Sequence, residues 1–203
     1  DRSTGFGFTS SLNISEKNRG IDRKIASAKI DVTIFESDTL ESLSTVKLAY
    51  PEQMRNTKIS EYRYNTGKIK RLLLLPEEEV KDITNDAFYD KLSFSFGSIK
   101  DFIDCENTIV SRKEDDKSII IESICDKLID HHKAKRRIIK INYSSGKMIY
   151  MKEYNEIGDV VRKISFVNYA AKNLKLFPLE VEIEEPRKRK KTIFIFSDFK
   201  FKN

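Results

Sequence analysis

No stretch of this chain approaches the roughly 18–20 consecutive apolar residues that a membrane-crossing helix needs. Apolar runs such as Leu72–Leu75 and Ile193–Phe196 are strand-length. Tryptophan is absent, and histidine and cysteine each occur only twice among 203 residues. The two histidines, His131 and His132, are adjacent. In a strand they point to opposite faces, so even with Asp130 beside them they make a poor metal site, and no metal centre is expected. No Gly-x-Ser-x-Gly marks a nucleophile elbow. The glycines around Phe6-Gly7-Phe8 are not followed by the Gly-Lys-Ser/Thr of a phosphate-binding loop. Adjacent carboxylates abound, as in Glu77-Glu78-Glu79 and Asp115-Asp116, but in contexts that read as solvated surface and turn. The chain reads as a binding protein rather than an enzyme, and no cofactor is implied.

Charge of one sign is also scarce. Thirty-eight basic residues are offset by 32 acidic ones, leaving a formal charge of +6. A nucleic-acid binder shows a stronger local excess interleaved with aromatics, so no nucleic-acid partner is expected. The sharpest basic cluster is Arg187-Lys188-Arg189-Lys190-Lys191. It reads either as a docking patch for an anionic surface or as a hairpin tip flanked by Glu182, Glu184, Glu185 and Pro186. Lys133-Ala134-Lys135-Arg136-Arg137 is a second basic stretch. Two such tips on one sheet edge would support peripheral membrane contact.

What the chain has in abundance is alternation. Leu179–Glu184 runs Leu, Glu, Val, Glu, Ile, Glu, and Thr192–Phe201 places Phe194 and Phe196 opposite Ile193 and Ile195. Met148–Tyr154 and Val160–Asn168 flank the turn Asn155-Glu156-Ile157-Gly158. Period-two patterns rich in β-branched and aromatic residues specify half-buried antiparallel strands. Further strands are expected from Phe6 to Ile14, over Ala26–Glu36, and over Leu43–Tyr50, which Pro51 ends. Others are expected over Lys58–Tyr64, Lys68–Leu75 and Arg137–Tyr143. Glu16–Lys24 reads as a loop or short helix. Short helices are expected near Asn85–Leu92 and Ser98–Asp104. The total is about ten or eleven strands with two or three short helices in a single domain, residues 1–203.

Cys105 and Cys125 flank two strand-like runs, Thr108–Arg112 and Ser118–Ser123. A hairpin centred on Asp115 pairs residues whose numbers sum to 230, which brings the cysteines opposite one another at about 4.5–5.5 Å. That separation suits a disulfide, which argues for an oxidising compartment. The alternative is two reduced, half-buried thiols.

The order of these segments carries a resemblance. A strand ends in Ala49-Tyr50-Pro51, and another runs from Gly67 to Leu74-Leu75-Pro76. Phe94-Ser95-Phe96-Gly97-Ser98-Ile99-Lys100-Asp101-Phe102 leads into a short helix. Lys152-Glu153-Tyr154-Asn155-Glu156-Ile157-Gly158 follows, continuing to Arg162, Lys163 and Phe166. A Pro178-led strand and an ending in Lys202-Asn203 complete the series. Over most of its length the chain resembles the LolA-like lipoprotein-sorting proteins. That resemblance implies an open, strongly curved antiparallel half-barrel with short helices on its concave side. It implies a monomeric periplasmic carrier, mature after signal-peptide removal, that shields lipoprotein acyl chains between inner and outer membranes. By the same resemblance its partners are an inner-membrane lipoprotein-releasing transporter and an outer-membrane acceptor. Ile30, Val32, Ile34, Val46, Leu48, Leu73, Leu75, Ile164, Phe166, Leu179, Val181 and Ile183 are then the expected lipid-facing side chains. A one-residue register slip would exchange each set for its alternate. Carriers of the better-known branch place an arginine before the strand-ending proline as a lid latch. This chain has Tyr50 there, with Arg55 out of register, which marks a divergent member. The same fold also serves sensors, scaffolds and glycolipid or phospholipid binders.

Overall fold

The computed structural model describes residues 4–35, 39–66, 68–77, 79–85, 107–113, 117–129, 134–172 and 175–202. Among the described residues thirteen strands follow in chain order: β1 (Thr4–Asn18), β2 (Ile21–Phe35), β3 (Leu40–Tyr50), β4 (Lys58–Tyr64), β5 (Ile69–Leu74), β6 (Val80–Asp82), β7 (Asn107–Lys113), β8 (Ser118–Ile129), β9 (Ala134–Asn142), β10 (Met148–Tyr154), β11 (Val160–Lys172), β12 (Lys175–Glu185) and β13 (Lys190–Lys202). They form one sheet in the order β6-β5-β4-β3-β2-β1-β13-β12-β11-β10-β9-β8-β7. Among the described residues β6 and β7 end the sheet, which is open, and the fold is mainly β, as expected.

The strand count exceeds the expected ten or eleven. At three residues, β6 is too short to carry a readable period. Glu16–Lys24 is not a helix or loop but the meeting of β1 and β2. Arg19 and Gly20 both take positive φ, 51° and 86°, which matches the right-handed twist of a two-residue hairpin. Its residues are mostly exposed, so no apolar alternation announced it. Among the described residues the only helical pieces are 3-10 turns at Glu52–Met54 and Pro186–Lys188. The expected helices near Asn85–Leu92 and Ser98–Asp104 fall on residues 86–106, outside the described set.

The chain divides into two compact units. The first comprises Asp1–Ile14, Lys24–Phe94 and Ile195–Asn203. Here Ile30 pairs with Val46, Val46 with Ile59, and Ile59 with Leu73, so one apolar row crosses four strands. Ala28, Leu48, Ile59, Leu73 and Ile83 form its buried core, with Val46, Met54 and Leu75 packed against it. On the β1–β13 side, the Phe8 and Phe199 rings stack at 5.0 Å and Phe6 meets Phe201 at 5.3 Å.

Gly7 sits where three strands approach closely. A Cβ there would lie 2.6 Å from the Val32 carbonyl oxygen and 2.9 Å from Cδ of Lys202. A backbone oxygen in a sheet yields little, so G7A is expected to cost about 1–3 kcal/mol. Urea unfolding checks this as a lower midpoint at unchanged slope.

The second unit comprises Ser15–Arg23 and Ser95–Phe194. One face carries a row across six strands: Val110, Ile121, Ile139, Met151, Ile164 and Ile183 are successive cross-strand partners. The opposite face is charged. There Lys163 lies 3.7 Å from Glu184, and Lys191 lies 2.7 Å from Glu182. The alternation of β12 has this physical origin: Val181 and Ile183 point to the apolar side, and the intervening glutamates meet lysines on the other.

The β7–β8 hairpin pairs Asn107 with Ile124 and Lys113 with Ser118. That register is one residue away from the sum of 230 expected from the sequence. The turn residues 114–116, Cys105 and the side chain of Cys125 lie outside the described residues, as does the His131–His132 pair.

Candidate functional site

The expected lipid-facing residues fall into two groups, one per unit. In the first, Ile30, Leu48 and Leu73 are buried, Val32, Val46 and Leu75 are half-buried, and Ile34 is exposed. In the second, Ile164, Phe166 and Val181 are buried, while Leu179 and Ile183 are half-buried. Register explains the grouping. Ile164 pairs with Ile183 and Phe166 with Val181, so these four share a face with Met151 and Ile139. Ile30, Val46 and Leu73 share a face in the same manner. In the final strand, Phe194 and Phe196 are buried, while on the other face Ile193 is half-buried and Ile195 exposed.

Charged residues on these same faces were missed. In the second unit the row next to Ile139–Met151–Ile164 is Ser123, Arg137, Glu153 and Arg162, again cross-strand partners. Glu153 is 1% exposed and Arg137 3%. The Arg137 guanidinium donates to Glu153 Oε1 from Nε at 2.9 Å and from Nη2 at 2.7 Å. Arg162 donates from Nε to Glu153 Oε2 at 2.7 Å and from Nη2 to Oε1 at 3.1 Å. One carboxylate thus accepts four charge-assisted bonds, the strong class of hydrogen bond.

The first unit repeats the chemistry. Arg71 Nε donates to Glu61 Oε2 at 2.7 Å, and Arg63 Nη2 lies 3.6 Å from Glu61 Oε1. The available signal was an ionisable residue two places from an inward apolar one: Arg137 before Ile139, Glu153 after Met151, Arg71 before Leu73. Among the described residues, no buried side-chain nitrogen or oxygen lacks a hydrogen-bond partner. Near Arg71, the Asp82 carboxyl is held below the usual carboxylate range by hydrogen bonds from the Thr84 hydroxyl and amide.

Each unit also has a cleft. One of about 690 Å³ in the first is lined by Lys68, Ile69, Lys70, Asp82, Ile83, Thr84 and Asn85. One of about 610 Å³ in the second runs from the β9–β10 turn to Phe166, Tyr169 and Leu179. Tyr169 donates its hydroxyl to the Met148 carbonyl at 2.5 Å, and burial pushes its phenol up to about 12. A raised folded-state value means stabilisation that is complete below the unfolded phenol's range, near pH 10, and lost as pH climbs toward 12. Ultraviolet titration of phenolate should therefore show a late-ionising tyrosine that Y169F removes.

No family model and no curated protein matches the chain. Solved structures do. A DUF1329 family protein from Desulfovibrio piger superposes with a TM-score of 0.74 at 14% identity, over 96% of this chain and 85% of the other. A domain from Vibrio parahaemolyticus named for outer-membrane lipoprotein sorting gives 0.73 at 15% identity, over 97% and 86%. A LolA superfamily protein from Nitrosomonas europaea gives 0.59 at 12% identity, over 97% and 86%. The fold is LolA-like.

At the strand-ending position Tyr50 precedes Pro51 across a cis bond, and the Lys24 ammonium sits 5.1 Å over the Tyr50 ring, a cation–π contact.

The basic stretches are largely consumed internally. Arg187 bonds the Asp159 carboxylate and Lys188 that of Glu185. Lys190 meets Glu16 at 2.5 Å and Lys191 meets Glu182 at 2.7 Å. A hydrogen bond to Glu182 raises the Lys191 pKa. In the other stretch, Lys135 pairs with Glu156 at 3.1 Å, Arg136 with Glu122 at 2.5 Å, and Arg137 lies in the buried row. Among the described residues no cluster of three or more His, Cys, Asp or Glu could hold a metal. Among them, too, no helix is long and apolar enough to cross a membrane.

Proposed function

We propose that this protein is a non-catalytic lipid carrier of the cell envelope, with residues 1–203 acting as one lipid-binding domain. It holds the acyl chains of lipoproteins against the apolar sheet faces. It moves them through the periplasm from an inner-membrane releasing transporter to an outer-membrane acceptor. The observation that carries this reading is the register. Seven of the expected lining residues pair into apolar rows, Ile30, Val46 and Leu73 through Ile59 in the first unit and Ile164 with Ile183 and Phe166 with Val181 in the second, and charged residues lie on the opposite face of β11 and β12. Each methylene that such a row removes from water contributes about 0.8 kcal/mol, so an acyl chain binds without polar contacts and leaves when a better acceptor is offered. The named lipoprotein-sorting neighbour supports the choice of cargo.

Native mass spectrometry of protein purified from an envelope fraction tests it. A bound lipoprotein or acylated peptide supports the carrier. Bound free phospholipid or glycolipid keeps lipid binding but changes the cargo. A protein that is empty and also fails to take up a fluorescent acyl probe overturns the proposal in favour of a sensor or scaffold.

A further inference from the structure

Three hairpins turn at one end of the second unit. They are β1–β2 at Arg19-Gly20, β12–β13 at Pro186–Lys188 with Arg189, and β10–β11 at Asn155–Gly158. Contacts tie them together: Arg187 bonds Asp159 of the neighbouring tip, and Lys190 reaches Glu16 beside the third.

Two of these tips expose isoleucine. Ile157 is 77% exposed and Ile21 73%, the two most exposed large apolar residues among those described. Neither tip is loose. The Asn155 side-chain oxygen accepts from the Ile157 amide at 3.2 Å and from the Asp159 amide at 2.9 Å. Positive φ at Gly158, Arg19 and Gly20 closes the two turns. Around the isoleucines stand cations. Among the described residues Arg19, Arg23 and Arg189 have no acidic partner, and Arg187 and Lys188 stay more than half exposed despite theirs.

Rigid turns that hold bulky aliphatic side chains in water, ringed by arginine, fit a surface that is apolar beneath and anionic above. We propose that this end of the second unit docks on an anionic phospholipid bilayer. Ile21 and Ile157 enter the boundary between headgroups and acyl chains, and Arg19, Arg23 and Arg189 meet phosphates. A nucleic acid fits less well. Tip residues 18–22, 155–159 and 186–189 include no aromatic on which a base could stack, and isoleucine offers a phosphate backbone nothing. The inference goes beyond the carrier reading and does not depend on the cargo.

The test is co-sedimentation of the full chain with vesicles of phosphatidylcholine alone and of phosphatidylcholine mixed with phosphatidylglycerol. The wild type should sediment with the anionic vesicles at low salt and weaken as salt rises. Ile21→Asp with Ile157→Asp should abolish sedimentation. Arg19→Gln with Arg189→Gln should weaken it by roughly fivefold for each charge removed. Ile21→Ser with Ile157→Ser, which adds no charge, should also release the protein. The proposal is overturned if the wild type stays in the supernatant with anionic vesicles at low salt. It is overturned equally if the isoleucine variants sediment like wild type, or if the wild type binds duplex DNA as tightly as vesicles and the isoleucine variants retain that binding. Uptake of a fluorescent acyl probe in solution should be unchanged by all these variants. Loss of probe uptake with vesicle binding intact would therefore strike the carrier reading and leave the docking surface standing.

Discussion

Replacing Glu153 with alanine is expected to cost about 3–5 kcal/mol, the loss seen when one partner of a buried ion pair is removed. The Glu153 carboxylate takes four hydrogen bonds from Arg137 and Arg162 and is 1% exposed. Without it, Arg137 keeps a guanidinium only 3% exposed and loses its acceptor on β10. Most of the loss is the penalty of that buried charge, not the worth of the pair itself. Glu153→Gln separates the two contributions. It keeps the shape and one acceptor oxygen, so its cost measures charge alone and should be smaller. Arg162→Met should be milder again, because the Arg162 side chain is 17% exposed and Glu153 keeps both bonds from Arg137. Thermal unfolding resolves these differences, since 1 kcal/mol moves the midpoint of a chain this long by about 2–4 °C. An E153A midpoint within 2 °C of wild type, a shift of at most about 1 kcal/mol, would mean that the row is open to water.

The second large effect belongs to the first unit. Leu73 pairs with Ile59 and is 5% exposed within a core that includes Ala28, Leu48 and Ile83. Leu73→Ala should cost about 2–5 kcal/mol, from lost burial plus the cavity left behind. The span reflects how far Val46 and Met54 collapse into the space. Ile34→Ala is the control. Ile34 is 38% exposed, so its truncation should stay within about 0.5 kcal/mol. Denaturant unfolding of the pair tests whether the row Ile30–Val46–Ile59–Leu73 is core while Ile34, four residues further along β2, is surface. Equal costs would contradict that gradient.

The polar rows and the apolar rows lie side by side, so in the proposed carrier an acyl chain would gain from contact with Ile164 or Val181 and nothing from a guanidinium. The Arg–Glu–Arg clusters, already satisfied by one another, keep the charged row from demanding water next to the apolar one. Buried ion pairs are weak contributors to net stability. In both units such a cluster ties side chains of neighbouring strands together in one register. A one-residue slip of β10 would carry Glu153 to the opposite face and strand Arg137 and Arg162.

Much of the fold was legible in the chain because strand formation is local. Alternation in Leu179–Glu184 requires only residues two apart, and the face of Val181 and Ile183 follows from it without knowledge of neighbours. Proline at 51, glycine at 158 and the Asn155 turn mark strand ends for reasons confined to their own backbones. The β1–β2 hairpin was obscured because its strands are exposed on both sides there, which removes the apolar period. The cysteine hairpin shows the limit of local reasoning. Its strands were placed, but its register was one residue off, because a turn's length is not fixed by composition alone.

Partnership is what only the tertiary structure decided. Glu153 shares a face with the inward Met151 two places before it, but nothing within β10 says what it meets there. It becomes a buried acceptor because β9 and β11 deliver Arg137 and Arg162 to the same row. Gly7 is constrained by Val32 and Lys202, one on an adjacent strand and the other near the chain's far end. Ser10 donates to the Ser197 carbonyl across 187 residues of sequence. The period-two pattern determined that this chain would be a sheet and which side chains would share a face. Which strands lie side by side, and hence which charges meet, depended on long-range pairing energies that no window of sequence contains.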